Sequence, residues 1–178
     1  MGGVALTASV TELRPTRDDV YVARLAAVAI ALAVIEAGIP SPIPGIKPGL
    51  ANIVTLYALV RHGWRVAAWV SLLRIFGGAI LLGGFLSPGF ALSLAGGIAS
   101  LAVLAPAQYL PKRFFGVVSL SLLAAFAHIA GQLGLARWWL IPHDGLKHLV
   151  PLFAAAAWGF GIVNGLIAAQ LLEEAAPS

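Results

Sequence analysis

The chain has 178 residues, 60% of them hydrophobic and only 10% charged, with a mean hydropathy of +0.95. A soluble domain carries about 25% charged residues to meet water, so 11 Lys plus Arg and 7 Asp plus Glu are too few to coat a globule. With no cysteine, disulfides, thiolate metal sites and cysteine nucleophiles are excluded. The net charge of +4 is what basic loops on one side of a membrane produce, and nucleic-acid binding is not read from it.

The first 19 residues are polar and mixed in charge, without the apolar stretch of a signal peptide. They are expected to be a cytoplasmic tail. A first span is predicted over Val20 to Ile39. The run from Pro40 to Gly49 then breaks the helix, because each proline removes an N–H and extends the residue before it. A second apolar run, Leu50 to Val60, is short for a crossing. Part of the Pro-rich segment could complete it by dipping into the protein, which is tolerated where the backbone lines a cavity. Arg61-His62-Gly63-Trp64-Arg65 is a basic turn. A third span, Val66 to Leu86, is interrupted by Arg74. After the turn Ser87-Pro88-Gly89 a fourth runs from Phe90 to about Tyr109. Pro111-Lys112-Arg113 is another basic turn, the fifth span is Phe114 to about Leu135, and the sixth is Leu149 to Leu172. The runs are continuous and lack the strict alternation of barrel strands. The expected fold is therefore all-α: one polytopic domain of six transmembrane helices over residues 20–172, with tails at 1–19 and 173–178.

Orientation follows the Lys/Arg bias of short loops. With the N-terminus inside, the cytoplasmic side holds Arg14, Arg17, Arg24, Arg61, Arg65, Lys112 and Arg113, against Lys47, Arg137 and Lys147 outside. Both termini are expected in the cytoplasm. Trp64, Tyr109 and the Trp138-Trp139 pair fall near the interfaces. The first helix carries Ala23, Ala27 and Ala31, and also Ala29, Ala33 and Ala37, at the four-residue spacing that lets another helix approach closely. An Ala-rich helix also produces such spacing by chance.

Ionisable residues inside a span are costly and usually face the protein interior or a wet cavity. Glu36, Lys47, Asn52, Arg74, His128 and Gln132 are the candidate solute-binding residues. Counting along the helices gathers Glu36, Lys47, Asn52, His128 and Gln132 in the outer half and leaves Asn164 outside the group. Glu36 could equally neutralise Arg74 or Lys47. Asn52 could cap the broken backbone around Gly49, and His128 with Gln132, on one face at i and i+4, could bond helix to helix. Lys47 amid Gly N–H groups suits a carboxylate or phosphate. No Walker A sequence, metal-ligand spacing, Asp-rich diphosphate motif or oriented nucleophile is present, so neither catalysis by this chain alone nor a cofactor is expected.

The stretch Pro44-Gly45-Ile46-Lys47-Pro48-Gly49-Leu50-Ala51-Asn52-Ile53 resembles the Gx transporter family, whose members are often labelled heptaprenyl diphosphate synthase component I. So do Ser71-Leu72-Leu73-Arg74, Ser87-Pro88, Ser93-Leu94-Ala95-Gly96-Gly97 and Ala127-His128-Ile129-Ala130-Gly131-Gln132. The resemblance covers about residues 22 to 172. That family is similar to the substrate-binding S components of energy-coupling factor (ECF) transporters, membrane proteins of the bacterial inner membrane that work with a T component and paired ATPases. It implies six helices, an outer solute pocket closed by the first inter-helix segment, and a T-component contact through Ala23, Ala27 and Ala31. The alternative label implies a non-catalytic membrane partner of a prenyl diphosphate synthase subunit, since the Asp-rich motifs of such a synthase are missing here.

Overall fold

The computed structural model describes residues 15–40, 47–111, 113 and 115–175. The tail residues 1–14 and 176–178, most of the Pro-rich run (41–46), and Lys112 and Phe114 of the second basic turn lie outside the described residues.

Six α-helices make up the described chain: α1 Arg17–Ala37, α2 Leu50–His62, α3 Trp64–Leu81, α4 Pro88–Ala107, α5 Val117–Leu135 and α6 Val150–Glu174. A π-helical turn, Ala136–Leu140, and a 3-10 turn, Asp144–Leu149, join the last two. Five of the crossings are long and apolar enough to span a membrane, and α2, at 13 residues, is not. At 1.5 Å per residue α2 covers about 20 Å, against a hydrocarbon core of about 30 Å. The protein is an all-α polytopic membrane protein.

Local chemistry sets the helix ends. α1 starts three residues before the predicted span because Thr16 and Asp19 form a reciprocal capping box, with Asp19 N–H donating to Thr16 Oγ1 at 3.2 Å and Thr16 N–H to Asp19 Oδ2 at 2.8 Å. α3 stops at Leu81, five residues short of the predicted end, where Gly83 (φ 67°) and Leu86 (φ 61°) turn the chain left-handed. α4 opens on Pro88, with Ser87 Oγ accepting the N–H of Phe90 at 3.2 Å. α5 begins at Val117 after Gly116, three residues later than expected.

Helices α1, α2 and α3 pack on one another, α3 joins α4, and α4, α5 and α6 follow in sequence, with α6 returning to α2. Lipid tails are as apolar as leucine, so close backbone approach and hydrogen bonds hold helices together here. A Cβ at Gly131 would lie 2.7 Å from the Ala95 carbonyl oxygen of α4, and one at Gly165 would lie 2.7 Å from Val118 Cα of α5. Ser100 Oγ donates to Ala124 O at 2.6 Å across the α4–α5 contact. The interior is built from Ala29, Ala51, Leu56, Ala67, Val70, Leu104 and their neighbours, mostly small or unbranched-at-Cβ side chains.

The two alanine series of α1 part company. Ala29 is buried and Ala33 faces Gly78 of α3, whereas Ala23, Ala27 and Ala31 are exposed. Trp138 and Trp139 are 81% and 53% exposed and Tyr109 is 82% exposed, all at helix ends. Trp64 instead turns inward, its indole Nε1–H donating to Leu101 O at 3.0 Å.

Candidate functional site: a polar cluster between the helices

The site begins with a glycine. Gly49, the residue before α2, has φ +74°, a conformation that favours glycine. A Cβ there would also crowd Asn52 Nδ2 at 3.1 Å. This bend aims the first N–H groups of α2 into the bundle, and Gly49, as the N-cap residue, has no side chain to cap them. The Glu36 carboxylate of α1 accepts the Gly49 N–H instead. An anion at a helix N-terminus is the favourable pairing for the peptide dipoles. From the other side of the bundle, Asn164 of α6 donates its Nδ2–H to Pro48 O at 2.8 Å and to Gly49 O at 3.3 Å.

Asn164 therefore belongs to the polar group from which helix counting left it out. Counting along α6 places it correctly on that helix, but α2 is so short that its first residue lies deep in the bundle and meets Asn164 there. Asn52, Arg74 and Asn164 each lie ten residues from the His62/Trp64 end of their helices, about 15 Å. These three residues therefore share one level of the bundle.

Next to this clamp lies a small cavity of about 10 Å³ lined by Asn52, Thr55, Ser71, Arg74, Gly97 and Ser100, with apolar walls from Leu56, Leu101, Leu104 and Ala124. It has room for about one water molecule. Asn52 and Thr55 on α2, and Ser71 and Arg74 on α3, are pairs three residues apart, so each pair shares a helix face. The His128 ring lies directly on Gly96, where a Cβ would come within 2.7 Å of Cε1 and Nε2. Three buried polar atoms find no hydrogen-bond partner among the described residues: Thr55 Oγ1, Arg74 Nε and His128 Nδ1. Buried polar atoms are nearly always paired, and each unpaired one costs about 1–3 kcal/mol. A polar pocket with open donors and acceptors is what a polar guest would satisfy.

Of the six candidate residues, Asn52 and Arg74 line the cavity, Glu36 holds Gly49 just ahead of α2, and His128 sits on Gly96, the neighbour of the cavity-lining Gly97. Lys47 is exposed, two residues before Gly49, and Gln132 is part-buried one turn beyond His128; neither lines the cavity. Glu36 is not ion-paired with Arg74 or Lys47: the ion pairs among the described residues, apart from contacts of Arg113, are Arg137–Asp144 and Lys147–Asp144 at the exposed α5–α6 connection. Thr55, Ser71 and Ser100 join the group without having been singled out, and Asn164 joins it although helix counting had set it aside. The first two were within reach, since each stands three residues from a polar residue already chosen.

Fold and site together define a polytopic α-helical membrane protein with a polar cluster buried between its helices. The chain belongs to the heptaprenyl diphosphate synthase component I family, whose model matches residues 25–171. Neither the curated proteins nor the solved structures contain a match to it.

Proposed function

We propose that this chain is the solute-binding membrane subunit of an importer of the bacterial inner membrane. In this reading it captures a small carboxylate- or phosphate-bearing solute from the outer face, and partner proteins supply the energy. The observation that carries the reading is the unpaired Arg74 Nε in a cavity shared with Thr55, Ser71 and Asn52. A buried guanidinium with an open donor suits an anion, and intramembrane charges mark solute pathways by default. A guest larger than water enters only if α2 and the segment ahead of it yield. The bonds that must then break are those of Glu36 and Asn164 to Pro48 and Gly49. The exposed Ala23, Ala27 and Ala31 face of α1 is the surface for a T component, which would bring the ATPases; both termini would be cytoplasmic. Protein purified under mild conditions should carry a saturable solute and co-purify with such partners. Wild-type protein that shows neither, while folded, would remove the importer reading.

The family's description favours a second reading, a non-catalytic membrane partner of a prenyl diphosphate synthase. Co-expression with a soluble Asp-rich synthase subunit would then raise long-chain prenyl product, and Asp18→Ala would leave that product unchanged. No gain in product with both proteins present would dismiss it.

A further inference from the structure

A second, larger cleft lies away from the polar cluster, at the ends of the helices. It has a volume of about 690 Å³ and opens between the start of α1, the α2–α3 turn and the end of α4. Its lining carries charge of both signs, Asp18 and Asp19 from α1 and Arg65 from α3, with Thr16, His62 and Gln108 as further polar residues. Asp19 is held by its capping box, while Asp18 and Arg65 are exposed and bond to no other described residue. Trp69 and Tyr109, 58% and 82% exposed, add two aromatic walls.

The cleft does not stop at the polar residues. Trp69 is also the first of four exposed apolar residues on α3, followed by Leu73, Phe76 and Ile80, which are 40%, 38% and 62% exposed. Their spacing of four, three and four residues keeps them on one helix face. The stripe runs between α1, whose Ile30 lies on Gly77, and α4, whose Phe90 ring is 5.3 Å from that of Phe76. Its length is about 16 Å, half of a 30 Å hydrocarbon core and so the depth of one leaflet.

We infer that this cleft and stripe form a binding site for one zwitterionic, amine-bearing phospholipid. The ammonium group sits between Asp18, Asp19 and the faces of Trp69 and Tyr109, where a cation is attracted both by carboxylates and by aromatic rings. The phosphate lies toward Arg65, and one acyl chain follows the α3 stripe. Within the cleft lining, two carboxylates stand against one guanidinium, which gives an ammonium partners that an anionic headgroup does not use. The same balance disfavours a prenyl diphosphate, whose headgroup has no cation to place beside Asp18 and Asp19. This site shares no residue with the Arg74 cavity, so it stands or falls independently of the importer reading.

The test is competition on the full chain in detergent with equal amounts of palmitoyl-oleoyl phosphatidylethanolamine and phosphatidylglycerol, counting retained lipid by native mass spectrometry. The expected result is one phosphatidylethanolamine kept about tenfold over phosphatidylglycerol, with the preference falling about fivefold in Asp18→Asn and Arg65→Gln. Farnesyl diphosphate should not displace the retained lipid. Equal retention of the two lipids by the wild type, an unchanged preference in both variants, or displacement by farnesyl diphosphate would overturn the proposal. If a variant fails to fold, the wild-type competition still decides.

Discussion

Arg74 shows how a single residue can be expensive in the folded chain and useful in the working one. Its Nε has no partner among the described residues, and removing one partner of a buried polar group exposes the full desolvation cost, about 1–3 kcal/mol. Replacing a buried charge by an apolar side chain of similar volume is often neutral or stabilising. Arg74→Met is therefore expected to leave the melting temperature in detergent unchanged or raised while weakening solute binding at least about tenfold, measured by equilibrium binding of the co-purified solute. Asn164 has the opposite signature. Asn164→Leu gives up the bonds to Pro48 and Gly49, and thermal unfolding should show a loss of about 1–2 kcal/mol. Gly96→Ala tests the seat of His128: the added Cβ would sit 2.7 Å from the ring, so the ring must move, with a destabilisation of about 1–3 kcal/mol. These residues were unevenly legible in the sequence. Glu36, Arg74 and His128 stand out because charge in an apolar run is rare. Asn164 does not, because its partners are backbone carbonyls 115 and 116 residues away, and no local pattern points to them.

At the scale of elements, apolar length made all six helices legible. Their ends were less so, because hydropathy does not see turns: Leu82 and Leu86 are apolar, yet Gly83 and Leu86 take left-handed backbone and end α3 early. The short α2 was visible as a short run, but what it implies was not. A 13-residue helix that ends at one face must begin inside the bundle, and its opening N–H groups then need partners from other helices. Glu36 meets that need by accepting the Gly49 N–H, while Asn164 donates to the Pro48 and Gly49 carbonyls beside it. Helix contacts rest on glycine in the same way. Gly131 and Gly165 stand where a Cβ would run into backbone atoms of the neighbouring helix, which cannot shift like a side-chain tip. Gly131→Val and Gly165→Val should each lower stability by more than the usual overpacking cost of about 1–3 kcal/mol. Gly134→Ala, where nothing lies within 4 Å, should leave the melting temperature nearly unchanged.

For the whole molecule, charge asymmetry predicts the orientation. Arg61, Arg65 and Arg24 stand at or near one end, and Arg137 and Lys147 at the other. Because the chain has no cysteine, single cysteines can be introduced without background. A membrane-impermeant maleimide applied to intact cells should label Lys147→Cys and leave Arg61→Cys unreacted; the reverse pattern would turn the bundle over. The orientation matters to the function because it decides from which side a solute reaches Arg74.

The central claim is that polar side chains from several helices meet around Arg74 to hold a solute. Its most direct test is a high-resolution map of the protein extracted gently from its native membrane. Density for a small anionic solute is expected against Arg74, Thr55 and Asn52. A map in which Arg74 pairs directly with Glu36 and side chains fill the space between α2, α3 and α4 would contradict the account.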